Sequence, residues 1–164
     1  MLGAVFFENW TSKEEHFYLQ QYVTGHTQIP PYVPGNFKER ELPLLLTFIE
    51  GSQQKRKDLW EKVDTIIIDG YVDLGRDPGL GRHLYNELKG KYLVVGVAKK
   101  PYKEANNAIK VFRGKSKTPL YVTATHDPLG AASCMYALEG NYRLPTFLKL
   151  ADSIARNTHK HEKV

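Results

Sequence analysis

Val63-Asp64-Thr65-Ile66-Ile67-Ile68-Asp69-Gly70 is the stretch that decides the fold. The run Ile66-Ile67-Ile68 leaves no alternate position polar, which fits a strand covered on both faces. A carboxylate at the carboxyl end of such a strand stands where α/β sheets bind their ligands. Gly70 lets the chain turn away sharply and leaves room for a group to approach the backbone. Asp-Gly also simply ends strands, so the weight of Asp69 depends on the segments that converge on it.

Working outward, Leu80, Leu84 and Leu88 fall at i, i+4 and i+8, the stripe of a buried helix. Lys91–Ala98 is a second apolar strand. Strand, helix, buried strand predicts a parallel crossover unit. Upstream, Leu2–Phe7 and His16–Val23 read as an antiparallel hairpin, and Pro30, Pro31 and Pro34 forbid regular structure in the segment that follows. Leu42, Leu45, Leu46 and Ile49 predict a helix over Phe37–Glu50, starting near Glu41 or kinked at Pro43. Downstream, Ile109–Arg113 and Leu120–Thr125 read as a second hairpin. Asp127 caps a helix over Leu129–Leu138, Pro145–Arg156 forms the last helix, and the tail from Asn157 frays. The order describes an α/β domain over residues 1–156, one mixed sheet with helices on both faces, and a basic tail over 157–164.

The 164 residues are 41% hydrophobic and 12% aromatic, enough for a full core, so global disorder is excluded. No apolar stretch has the length of a membrane span. The lone cysteine, Cys134, excludes an internal disulfide and any multi-cysteine metal site, and its setting reads as a small core position on a helix. The expectation is a cytoplasmic monomer. A net charge of +5 permits a polyanionic partner without requiring one. Its distribution says more. Lys99, Lys100, Lys103, Lys110, Arg113, Lys115 and Lys117 face a single acid, Glu104, in nineteen residues, which suits either a solvated loop or a nucleic-acid backbone track.

Three segments could join Asp69. A stiff proline loop carrying Tyr32 leads into the helix bearing Glu41. Lys99 follows the strand expected beside the one ending in Asp69. His126 follows Tyr121-Val122-Thr123-Ala124-Thr125, where a hydrogen-bonded structural histidine is the more ordinary reading. Two carboxylates, a histidine and a lysine suit metal-assisted phosphodiester hydrolysis. Hard oxygen ligands select Mg²⁺, with Mn²⁺ as the alternative, and the lysine would neutralise charge in the transition state.

With these blocks placed, the chain resembles the endonuclease V family, inosine-directed nucleases of ribonuclease H-like fold. The resemblance rests on Pro31–Gly35 with Arg40-Glu41, Ile66–Gly70, Gly96–Lys100, Leu120–His126 and Tyr142-Arg143-Leu144-Pro145, in family order. It implies a ribonuclease H-like mixed sheet. It implies that Glu41 and Asp69 bind metal, with His126 as a further candidate ligand, and that Lys99 stands beside the scissile phosphate. Tyr32 would be the wedge next to the lesion, and the backbone around Gly35, Asn36 and Phe37 would help form the pocket for an extruded base. Lys100 and Arg113 would follow the nucleic-acid backbone. The implied reaction is hydrolysis of the second phosphodiester 3′ of inosine in DNA or RNA, leaving 3′-hydroxyl and 5′-phosphate ends.

The sequence also departs from the family pattern. The family's first strand, with an aspartate that completes the metal site, precedes the segment matching Leu2–Phe7, so the expectation is a truncated chain. Tyr71-Val72-Asp73 lacks the usual histidine and glycine, and Arg76-Asp77-Pro78 replaces a His-Pro-Arg arrangement. The alternatives are therefore a catalytically impaired homologue that still binds nucleic acid, or an unstable fragment.

Overall fold

The computed structural model describes residues 2–15, 17–21 and 37–156. The Ile66-Ile67-Ile68 run forms β3 (Thr65–Asp69), which pairs in parallel with β6 (Leu93–Ala98), placing Ile67 opposite Val95 and Asp69 opposite Val97. The crossover between them holds a two-rung hairpin, β4 (Asp73–Leu74) with β5 (Asp77–Pro78), and the helix α3 (Leu80–Glu87). β8 (Leu120–Ala124) runs antiparallel to β6, and β7 (Ile109–Val111) lies outside it, giving the mixed order β3-β6-β8-β7.

Both faces of this sheet are covered, as the apolar strands require. On one side Ile68, Val94, Leu80, Leu84, Phe48 and Trp60 share a core. It packs α3 against α1 (Phe37–Lys55) and the short α2 (Lys57–Trp60). On the other, Val95, Val97, Val111, Leu120 and Val122 pack on α4 (Pro128–Ala137) and on Phe147 of α5 (Thr146–Ala155). α1 continues through Pro43, five residues longer than the leucine spacing predicts. The expected cap is present: the Asp127 carboxylate accepts the Gly130 N–H at 3.0 Å, with Pro128 opening the helix.

The expected hairpin also forms, as β1 (Leu2–Phe6) with β2 (Phe17–Gln21). It is a separate ladder rather than part of one sheet: among the described residues no pairing joins it to β3. Its side chains still feed both cores, Leu2, Ala4 and Phe6 on one side, Val5 and Phe7 on the other. A Cβ at Gly3 would stand 2.7 Å from the Ala151 carbonyl oxygen, so α5 lies directly on β1. That contact fixes the helix bearing Asp152. No helix among the described residues is long and apolar enough to cross a membrane. The tail from Asn157 lies outside them.

Candidate functional site

Parallel pairing brings the carboxyl ends of β3 and β6 to the same edge of the sheet. Asp69 ends the first, and Lys99 directly follows the second. The Gly70 N–H extends the ladder to the Val97 carbonyl at 3.1 Å, and Gly70 itself has φ of +140°, a turn that an L side chain would resist. The returning chain crosses the sheet so tightly that a Cβ on Gly96 would lie 2.5 Å from the Gly70 carbonyl oxygen. There the Val72 N–H donates to Thr123 Oγ1 at 2.8 Å, tying the turn to β8. Asp69 therefore projects from anchored backbone, and three-quarters of its side chain is exposed.

The Lys99 ammonium stands between two carboxylates. Its Nζ lies 4.0 Å from Asp69 Oδ2 and 3.6 Å from Asp152 Oδ1, on α5. Asp152 also meets Arg156 at 3.3 Å. Asp69 and Arg156 lie mostly in solvent, where an ion pair adds only ~0–1 kcal/mol, while Lys99 and Asp152 are each 34% exposed. The sequence reading misses Asp152. Its signal is a carboxylate set between Ala151 and Ile154, inside an otherwise apolar helical stripe.

Two further groups hold the main chain here. The Arg143 guanidinium donates to the Lys99 carbonyl and, at 2.7 Å, to the Pro119 carbonyl, so it bridges the end of β6 to the start of β8. The Tyr71 hydroxyl donates to the Lys100 carbonyl at 2.6 Å. Burial pushes the Tyr71 phenol's pKa up, which keeps it a donor.

Other expected site residues fall elsewhere. His126 is displaced by strand direction. β8 is antiparallel to β6, with Tyr121 opposite Ala98 and Ala124 opposite Val95, so it runs away from Lys99. From Tyr121 to His126 is on the order of 15 Å of extended chain. His126 ends at the opposite edge, its Nδ1 3.1 Å from Thr125 Oγ1 and its ring edge-on to Tyr85. It shares no metal site with Asp69. Arg113 is also corrected: it is 4% exposed. Its guanidinium donates to the carbonyls of Tyr142 at 2.7 Å, Gly140 at 3.0 Å, and Tyr136, Leu138 and Arg143. Burial lowers its pKa, and no phosphate can reach it.

Glu41 is half-buried on α1, and no hydrogen bond or ion pair joins it to Asp69. Among the described residues, no group of three or more His, Cys, Asp or Glu is close enough to hold a metal. Tyr32, Gly35 and Asn36 lie outside the described residues, and Phe37 is described only as the first residue of α1. The rest of the basic segment reaches solvent: Lys100, Lys103, Lys110, Lys115 and Lys117 are exposed, as are Tyr102 and Phe112.

No family model matches the chain. Solved structures do. Human ENDOV superposes with a TM-score of 0.68 at 22% identity, over 88% of this chain and 72% of that one. An endonuclease V from Ciona intestinalis, in complex with a 23mer DNA containing an inosine followed by a ribo-adenosine, gives 0.66 at 15% identity over 88% and 72%. The Streptomyces avermitilis endonuclease V gives 0.53 at 24% over 78% and 62%. At these identities the likeness concerns architecture: the chain has the α/β fold of the endonuclease V structures, a mixed sheet flanked by helices.

Proposed function

We propose that this chain is a metal-dependent endonuclease of the endonuclease V kind, cutting inosine-containing DNA or RNA at the second phosphodiester 3′ of the inosine. The observation that carries the reading is the cation set between two carboxylates, Lys99 between Asp69 and Asp152, at the ligand-binding edge of the sheet. Shared architecture with nuclease structures, one of them holding inosine-containing DNA, supports it. So does the exposed basic rim of Lys100, Lys103, Lys110, Lys115 and Lys117.

The donor set suits Mg²⁺, which binds through one or two carboxylates plus water and substrate phosphate, with Mn²⁺ as the alternative. Asp69 and Asp152 would hold it. Such an ion supplies polarisation of a phosphoryl oxygen and a water of lowered pKa. Lys99 neutralises charge gathering on the phosphate oxygens as the P–O bond breaks. Arg143 and Tyr71 fix the main chain at Lys99 and Lys100, so the ammonium meets the phosphate without reorganisation. The chain would act as a cytoplasmic monomer.

A second reading, binding without cleavage, draws on the meeting of only two carboxylates at Lys99, with no group of three or more metal-ligating residues among the described residues. One assay separates the two. An oligonucleotide with a single inosine is incubated with Mg²⁺, with EDTA, and with Asp69→Asn and Asp152→Asn. Cleavage that needs Mg²⁺ and is lost in both variants supports the nuclease. Metal-insensitive binding with no cleavage supports the second reading, and cleavage retained in both variants removes the carboxylates from the mechanism.

A further inference from the structure

Tyr142 is 73% exposed, although the chain around it is held tightly. Its carbonyl accepts from the buried Arg113 at 2.7 Å, and the next residue, Arg143, clamps the Lys99 carbonyl. The ring thus stands in solvent on backbone that Arg113 grips on either side of it, at Gly140 and Arg143, while the Arg143 side chain ties the next residue to Lys99 and Pro119. Folding gains little from leaving so much aromatic surface wet. One cation accompanies the ring: Lys149 Nζ lies 5.6 Å from its centroid. Lys149 and Asp152 are i and i+3 on α5, neighbours on one helix face, and Asp152 reaches Lys99. The ring and the ammonium assigned to the phosphate are therefore linked through neighbouring positions on one face of α5.

We propose that Tyr142 and Lys149 form a stacking step for a nucleobase flanking the phosphate held at Lys99, the ring taking the base face and Lys149 the adjoining backbone. The proposal rests on the nucleic-acid reading above. Stacking on an exposed aromatic beside a cation is sequence-tolerant, because every base has a π-face. The step would thus add affinity for an unpaired strand without choosing its sequence. Leu129 and Tyr136, strongly exposed on α4, have no cation over them among the described residues and serve as the contrast.

The test is anisotropy binding of a labelled single-stranded oligonucleotide, with an abasic site walked along it. Tyr142→Ala should weaken binding by roughly 5- to 100-fold, whereas Tyr142→Phe and Tyr136→Ala should stay near wild type. At one abasic position wild type should lose affinity while Tyr142→Ala loses nothing more, a non-additivity that a merely structural ring would not show. Thermal melting should be unchanged, since the arginine clasps use carbonyls alone. Unaltered affinity in Tyr142→Ala, or the same penalty at every abasic position, overturns the stacking step while leaving the nuclease reading intact. A wild-type protein that binds no oligonucleotide overturns both.

Discussion

The two edges of the four-stranded sheet carry similar residue types and do different work. At the carboxyl edge of β3 and β6, Asp69, Lys99 and Asp152 come from three separate elements and remain partly open to water. At the opposite edge His126 and Asp127 serve their own neighbourhood: one bonds Thr125 and meets Tyr85, the other caps α4. Charges gathered from distant parts of the chain at a solvent-facing edge add little stability, which points to chemistry. Polar groups satisfied within three residues of themselves point to construction.

That contrast can be broken at its strongest point first. Asp152→Asn and Lys99→Ala should each lower kcat on an inosine oligonucleotide by about 100- to 1,000-fold, measured under saturating substrate. Urea unfolding free energies for both should stay within about 1 kcal/mol of wild type, the cluster being partly open to water. A large stability loss in either would make the cluster structural. Arg113→Ala should cost on the order of 3 kcal/mol in urea unfolding, since it strands several carbonyls around a buried site. Arg113→Lys should recover little of it, lacking the planar fork. At the far edge Asp127→Ala should lower stability by about 1 kcal/mol with cleavage unchanged. The smallest expected effect is His126→Ala, within about twofold of wild type in cleavage; a large loss would restore the histidine to the mechanism.

Much of the fold is legible in the residues, because apolar periodicity reports which faces are covered. Ile66–Ile68, the leucine stripe of α3 and the Asp127 cap each appear where the sequence places them. Asp69 and Lys99 are legible as a pair for the same reason, since a parallel crossover brings the two strand exits together. What fails is direction and depth. The spacing after β8 places His126 at a strand exit but does not say to which edge that exit points. Arg113 reads as one more cation in a basic run, because charge patterning carries no account of which side chain meets carbonyls. Asp152 is hidden differently: an acid in an apolar helix gains meaning only once α5 is known to lie on β1.

The two arginine clasps grip only peptide oxygens, and this has a consequence for how the protein can vary. A loop held by its main chain tolerates exchange of its side chains, because nothing in the grip reads them. The exposed positions Glu139 and Asn141 can therefore drift in character while the geometry around them stays the same. The surface presented there could change without unsettling the hold on Lys99.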